Sequence, residues 1–220
     1  MPLIQESLDR AVFYAILDTS YIPPESWGET YRNLIQGGAD VVQVRAKNIP
    51  SHKRQLLLDT LLPDYVTSGV PLIVNDDLDV ARAYPGIQLG LHLGQDDLAP
   101  EEAREKLGPD RIIGLSTHSL IQAEAAIELG LNGIINYFAV GPLFSTPTKP
   151  DYEPVGLELA QLVKGLNPPV PFFCIGGITK KTLPAVIAAG IQRIVVVSDV
   201  LKDPDPAEAV SRFKATLSEG

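Results

Sequence analysis

Several things are scarce in this sequence, and each scarcity removes a class of protein. There is one cysteine, Cys174, so an internal disulfide is excluded. Cys174 lies in the apolar run Pro171–Ile175, where a small buried hydrophobe is a simpler reading than a nucleophile. Histidines number three and form no Cys/His cluster of zinc-binding spacing. Lys and Arg total 18 against 27 Asp and Glu, a formal net charge of −9. That deficit argues against general nucleic-acid binding, which needs clustered positive charge. It leaves room for an anionic small molecule, because a few local cations or a metal can reverse the local field. No apolar run is long enough to span a membrane. Met1 to Arg10 lacks the basic-then-apolar order of a signal peptide. The expectation is therefore a cytoplasmic enzyme or binding protein with no membrane partner. No Gly/Ser-rich or charged linker divides the chain, so residues 1–220 read as a single domain.

What is present is a rhythm. Apolar runs recur at Val12–Leu17, Val41–Val44, Leu72–Val74, Leu91–Leu93, Ile112–Leu115, Ile134–Val140, Phe172–Ile175 and Ile194–Val197. Most are continuous rather than alternating, as expected for parallel strands covered on both faces. Helical patterns lie between them. Trp27–Gln36 stops at Gly37-Gly38. Ser51 caps a helix running toward Ser68 that Pro63 should kink or divide. Another starts at Pro100-Glu101-Glu102, preceded by Asp97 or Ala99. Ser119–Leu129 closes at Gly130, and Leu157–Gly165, Lys180–Ala189 and Ala207–Leu217 follow. Asp76–Tyr84 carries the faintest helical pattern. Eight strand–helix units at this length predict an α/β fold, a (β/α)8 TIM barrel. The alternative is an open doubly wound sheet. That fold normally carries a glycine-rich fingerprint after its first strand, and Asp18-Thr19-Ser20-Tyr21-Ile22-Pro23 is not one.

In a barrel of this kind the site lies where strands end. The second run ends Gln43-Val44-Arg45-Ala46-Lys47, and in an extended segment Gln43, Arg45 and Lys47 share a face. An amide and two cations there suit a pyrophosphate; the alternative is one interior pair with a solvated lysine. The third run ends Asn75-Asp76-Asp77 and the fourth Gly94-Gln95-Asp96-Asp97. Carboxylates meeting over the mouth favour a hard ion, Mg²⁺, with one acid of each pair as ligand and the other capping or solvated. The fifth run ends Ser116-Thr117-His118. Ser116 can hydrogen-bond a ring or phosphate, and His118 reads as a helix-start residue before it reads as a base. No Ser-His-Asp elbow is spaced correctly, and His52 and His92 have plain structural explanations. After the sixth run, Gly141 to Asp151 carries Thr146, Pro147, Thr148 and Lys149, two hydroxyls and a cation in a loop stiffened by proline. It reads equally as a phosphate-facing loop and as a stiffened surface loop. Gly176-Gly177 and Val197-Ser198 end the seventh and eighth runs, the recurrent phosphate-binding corner of these barrels.

This ordered set of strand-end motifs resembles the thiamine-phosphate synthase (thiamine phosphate pyrophosphorylase) family over nearly the whole chain. The resemblance implies a transferase that joins a hydroxymethylpyrimidine pyrophosphate to a thiazole phosphate, with Mg²⁺ as cofactor and small molecules as partners. By motif, Gln43, Val44, Arg45, Ala46, Lys47, Asn75, Ser116 and Lys149 would meet the pyrimidine pyrophosphate. Thr146, Pro147, Thr148, Gly177, Val197 and Ser198 would meet the thiazole phosphate, and Asp76 and Asp97 would bind the metal. Arg45, Lys47 and Lys149 would stabilise the leaving group. Ala46 stands where the family has an acid, Asn136 replaces an Asp, and the segments before Tyr137 and before the fourth strand are lengthened. A thiazole tautomerase on the same barrel is the near alternative, with His118 as proton shuttle. A silent phosphate-binding barrel is the far one, and a homo-oligomer stays open.

Overall fold

The computed structural model describes residues 2–47, 49–146 and 153–219. Its strands are β1 (Phe13–Asp18), β2 (Val41–Arg45), β3 (Leu72–Asn75), β4 (Gly90–Leu93), β5 (Ile113–Thr117), β6 (Tyr137–Val140), β7 (Phe172–Ile175) and β8 (Ile194–Val196). They close a parallel barrel in chain order, β8 returning to β1. Helices α1 (Pro2–Arg10), α2 (Trp27–Gln36), α3 (Ser51–Ser68), α4 (Leu78–Arg82), α5 (Pro100–Leu107), α6 (Leu120–Leu131), α7 (Gly156–Gly165), α8 (Leu183–Ala188), α9 (Ser198–Leu201) and α10 (Pro206–Glu219), with a 3-10 turn at Pro24–Ser26, complete the described elements. The expected (β/α)8 barrel is what forms. No described helix is long and apolar enough to cross a membrane.

The strand period of two divides the apolar residues into two cores. Leu8, Tyr14, Ile16, Val41, Ile73, Tyr137, Phe173 and Val195 fill the barrel interior. Val42, Val44, Leu57, Leu72, Val74, Phe138 and Phe213 pack between barrel and helices. This is why the strands read as unbroken apolar runs: both faces are covered. Cys174 belongs to the second core and is fully buried, and burial pushes its thiol up, as suits a packing residue.

Local chemistry explains where the elements differ from expectation. α3 runs unbroken through Pro63, because Leu57, Leu58 and Leu61 anchor its inner face and packing outweighs one lost hydrogen bond. Pro50, not Ser51, holds its N-cap position, and Ala99 rather than Asp97 precedes α5. α6 passes through Gly130 and stops at Gly133, whose φ is +70°. The amide of Gly133 donates to Gly130 O and that of Ile134 to Leu129 O, a paired helix stop that absorbs Ile134. β6 therefore begins at Tyr137, three residues later than its apolar run. Asn136 is then a junction: its Oδ1 accepts from Ile113 N and Arg104 Nη2, both at 2.8 Å, and its Nδ2 donates to Gln5 Oε1. An aspartate could not make that last donation. α1 and α9 were not anticipated. α1 uses Leu8 to help close the N-terminal end of the barrel, so the mouth lies at the other end.

Candidate active site

Parallel strands place all eight C-terminal ends on one rim. Register then fixes neighbours: Asp18 lies beside Arg45, Asn75 beside His92, and Gly114 between His92 and Tyr137. The rim surrounds a cavity of ≈ 920 Å³, counting its space open to solvent. Gln43, Arg45, Asn75, Ser116, Thr146, Gly177, Val197 and Ser198, all expected at the site, line it. An adjoining recess is lined by Lys47, Asp76 and Asp97 and shares Asn75, His92, Ser116 and His118 with the main cavity.

Two expected residues turn away. Val44 is buried in the core outside the barrel and Ala46 packs against it, so only their backbone can serve the mouth. The same alternation that sends Gln43 and Arg45 inward sends these two outward. Pro147, Thr148 and Lys149 lie outside the described residues.

Arg45 is held by a carboxylate that strand-end reading did not single out. Its Nη1 donates to Asp18 Oδ2 at 2.6 Å, with the Asp18 side chain 2% exposed. Asp18 Oδ1 accepts from Ser20 N at 2.9 Å and from Ser20 Oγ at 2.7 Å. The guanidinium thus keeps its remaining donors for the cavity in one orientation. The clue was available, since Asp18 ends β1 as Arg45 ends β2. Asn75 Nδ2 is buried and has no hydrogen-bond partner among the described residues, a donor awaiting an acceptor.

The acids after β3 take different places, while Asp96 and Asp97 after β4 both line the recess. Asp77 caps α4, accepting from Val80 N at 3.0 Å, and pairs with Arg54 at 2.6 Å. Asp76 faces the recess with φ +62°, left-handed backbone that a short polar side chain tolerates better than most. Its Oδ2 lies 2.9 Å from Lys47 Nζ. Asp97 Oδ2 accepts from Gly94 N at 2.7 Å. Burial, and then a hydrogen bond to Asp76, hold the Asp97 carboxyl above the usual carboxylate range. Two carboxyl groups this close fit a hard divalent cation. Among the described residues no His/Cys/Asp/Glu group of three or more is assembled for a metal. The pair therefore suits an ion that keeps waters and takes substrate oxygens, rather than a closed protein cage.

Both histidines keep their expected places in the chain and also reach the mouth. His118 does precede a helix, its amide donating to Gln122 Oε1 at 2.7 Å ahead of the Ser119 cap. Its ring also lines the cavity, with Nδ1 at 2.5 Å from Gly141 O. His92, expected to be an ordinary strand residue, has both ring nitrogens engaged, with Tyr137 Oη and Ser116 Oγ, each at 2.9 Å. Opposite, Gly177 has φ +62°, and a Cβ there would lie 2.7 Å from both Phe144 Cβ and Ser145 O. Glycine at this position lets the loops after β6 and β7 approach each other.

Comparison with known proteins supplies the context. The sequence model of a family described as thiamine monophosphate synthase matches residues 13–200. A thiamine-phosphate synthase of Roseiflexus sp. (strain RS-1) is 38% identical over 94% of this chain and 85% of that protein. One from Acidothermus cellulolyticus is 40% identical over 84% of this chain and 85% of its own length. A solved structure, thiamine phosphate pyrophosphorylase from Pyrococcus furiosus, superposes with a TM-score of 0.81 at 29% identity, covering 98% of each chain.

Proposed function

The chain belongs to the thiamine monophosphate synthase family of transferases, and on that premise we propose how its barrel mouth performs the coupling. A pyrimidine pyrophosphate lies between β2 and β5, and a thiazole phosphate lies toward β7 and β8. Residues from β1 to β8 all contribute, so the proposed unit is the whole of 1–220. The observation that carries the reading is the convergence of Gln43, Arg45, Lys47, Asn75, Asp76 and Asp97 beside one cavity. A tautomerase would have no use for that pyrophosphate-binding set.

The reaction needs the C–O bond to pyrophosphate to break and a thiazole nitrogen to take the methylene carbon. Negative charge grows on the leaving oxygens as that bond lengthens. Arg45, oriented by Asp18, donates to those oxygens, and Asn75 Nδ2 adds a neutral donor. Lys47 can exchange its bond with Asp76 for substrate oxygens. Lys149, which follows β6 in the sequence, would supply a further cation. Asp76 and Asp97 would hold Mg²⁺, which when bound neutralises pyrophosphate charge. Gly177, Val197 and Ser198 offer backbone N–H groups, and Thr146 and Thr148 hydroxyls, to the thiazole phosphate. The thiazole nitrogen reacts through its lone pair, so the chain need supply no general base.

Pyrophosphate release from the purified protein with both substrates, with and without Mg²⁺, tests the reading. Mg²⁺-dependent release matched one-to-one by thiamine phosphate is the expected result. No release from a folded protein that binds thiazole phosphate would sink it.

A further inference from the structure

A chain of hydrogen bonds crosses the barrel floor beneath the cavity. Gln43 Nε2 donates to Tyr14 Oη at 2.8 Å, and Tyr14 Oη lies 2.8 Å from Tyr137 Oη. Tyr137 Oη is 2.9 Å from His92 Nδ1, and His92 Nε2 is 2.9 Å from Ser116 Oγ. The five residues come from β2, β1, β6, β4 and β5, and join the two sides of the mouth. The rings are clamped: Phe173 packs edge-on against both tyrosines, and His92 stacks on Tyr137 with ring centroids 5.6 Å apart. Gly114 leaves the space that Tyr137 fills, since a Cβ there would collide with its ring. Both phenols are fully buried, and burial pushes them well above the usual phenol range, so each keeps its proton.

Proton counting restricts the order. Each phenol has one hydrogen, and neutral imidazole has one N–H. If two neighbours both donated to one hydroxyl, that hydroxyl's own hydrogen would be stranded in the floor. Only two head-to-tail orders use every donor. One runs from Gln43 to Ser116; the other runs back and requires the Gln43 amide to turn over. Charge separates them. Gln43 shares its face of β2 with Arg45, which favours the amide oxygen over the NH₂ toward the cation. Ser116 shares its recess with Asp76 and Asp97, and the nearby Lys47 is already bonded to Asp76. An anionic surrounding favours a hydroxyl that donates outward.

We propose that this relay locks His92 as the Nε2–H tautomer, so that Ser116 is compelled to offer its hydroxyl hydrogen to the cavity while Gln43 keeps its amide oxygen. Tyr14, Tyr137 and His92 are positioning residues that join the polarity of the two ends. The mouth then selects a planar heteroaromatic ring that has an acceptor nitrogen toward Ser116 and an N–H donor toward Gln43. An aminopyrimidine has both. This ligand class rests on the function proposed above, whereas the tautomer does not.

The test is long-range ¹H–¹⁵N correlation of the histidine rings in the ligand-free full chain, with His92 assigned by loss of its signals in His92→Asn. The expected pattern is a protonated Nε2 and a bare Nδ1, collapsing to mixed tautomers in Tyr137→Phe. Tyr137→Met, which also removes the hydroxyl hydrogen and fills the space with a flexible side chain, serves if Tyr137→Phe does not fold. Each folded variant should lower kcat/KM for the pyrimidine pyrophosphate about tenfold, ~1.4 kcal/mol, and leave KM for thiazole phosphate within about twofold. A protonated Nδ1 in the parent, or an unchanged tautomer in the folded variants, overturns the relay even if coupling proceeds. The expected tautomer without any coupling activity would uphold the relay and sink the function instead.

Discussion

Replacing Asp18 with asparagine isolates one charge at the mouth while keeping its shape. The Asp18 side chain is 2% exposed and that of Arg45 15%, and their atoms approach to 2.6 Å. Breaking a buried ion pair by removing one partner costs ~3–5 kcal/mol, because the other charge stays buried. Arg45 borders an open cavity that water can enter, so the lower end applies, about 3 kcal/mol. For a chain of this size that corresponds to a fall in Tm of roughly 6–12 °C. A cycle of Asp18→Asn, Arg45→Gln and the double variant should give a coupling energy of about 2 kcal/mol by denaturant melts. Steady-state pyrophosphate release should show KM for the pyrimidine pyrophosphate rising in Asp18→Asn, since Arg45 is still present but no longer aimed. A variant that melts within about 2 °C of the parent, with no coupling in the cycle, would refute the claim that Asp18 positions Arg45.

Three further outcomes follow from other parts of the molecule. Asp97 has a folded-state pKa raised above its ordinary value of 3.8, so the folded chain binds that proton more tightly than the unfolded one. Its contribution to stability is greatest in acid and is lost as pH rises through the raised value; Asp97→Asn should melt higher than the parent above that window in EDTA, and should lose most of the stabilisation that Mg²⁺ gives, both read by thermal scans. Gly177→Ala must accept left-handed backbone, ~1–2 kcal/mol, together with overpacking against Phe144, ~1–3 kcal/mol; its Tm should fall and its KM for thiazole phosphate should rise, and an unchanged Tm would show that the loop yields freely. Asn136→Ala strands Ile113 N and a donor of Arg104 at the far end of the barrel and should destabilise by about 1–3 kcal/mol, while kcat and both KM values stay near the parent's once folding is complete.

The sequence by itself determined the repeat. Continuous apolar runs separated by helical patterns are local signals, and they were enough for eight parallel strands in order. Strand period also made Gln43 and Arg45 face one way, and the capping habit of Asp-Asp pointed to one acid of each pair for the mouth. Closure of the barrel decided what local signals could not. Tyr14 and Tyr137 meet across 123 residues, and Asp18 reaches Arg45 across 27. Shared strand-end positions hint at the second pair, but nothing local announces the first, because a hydrogen bond across the barrel depends on register and curvature. For the same reason the partners of His92 are fixed only by the closed barrel, and only the structure shows that the side chains of Val44 and Ala46 pack in the outer core. Pro63 and Ile134 make the complementary point: a helix breaker was overruled by packing, and an apolar residue expected in a strand was taken by a helix stop. Residue type and spacing fix what each position can do; the closed barrel fixes which partner it does it with.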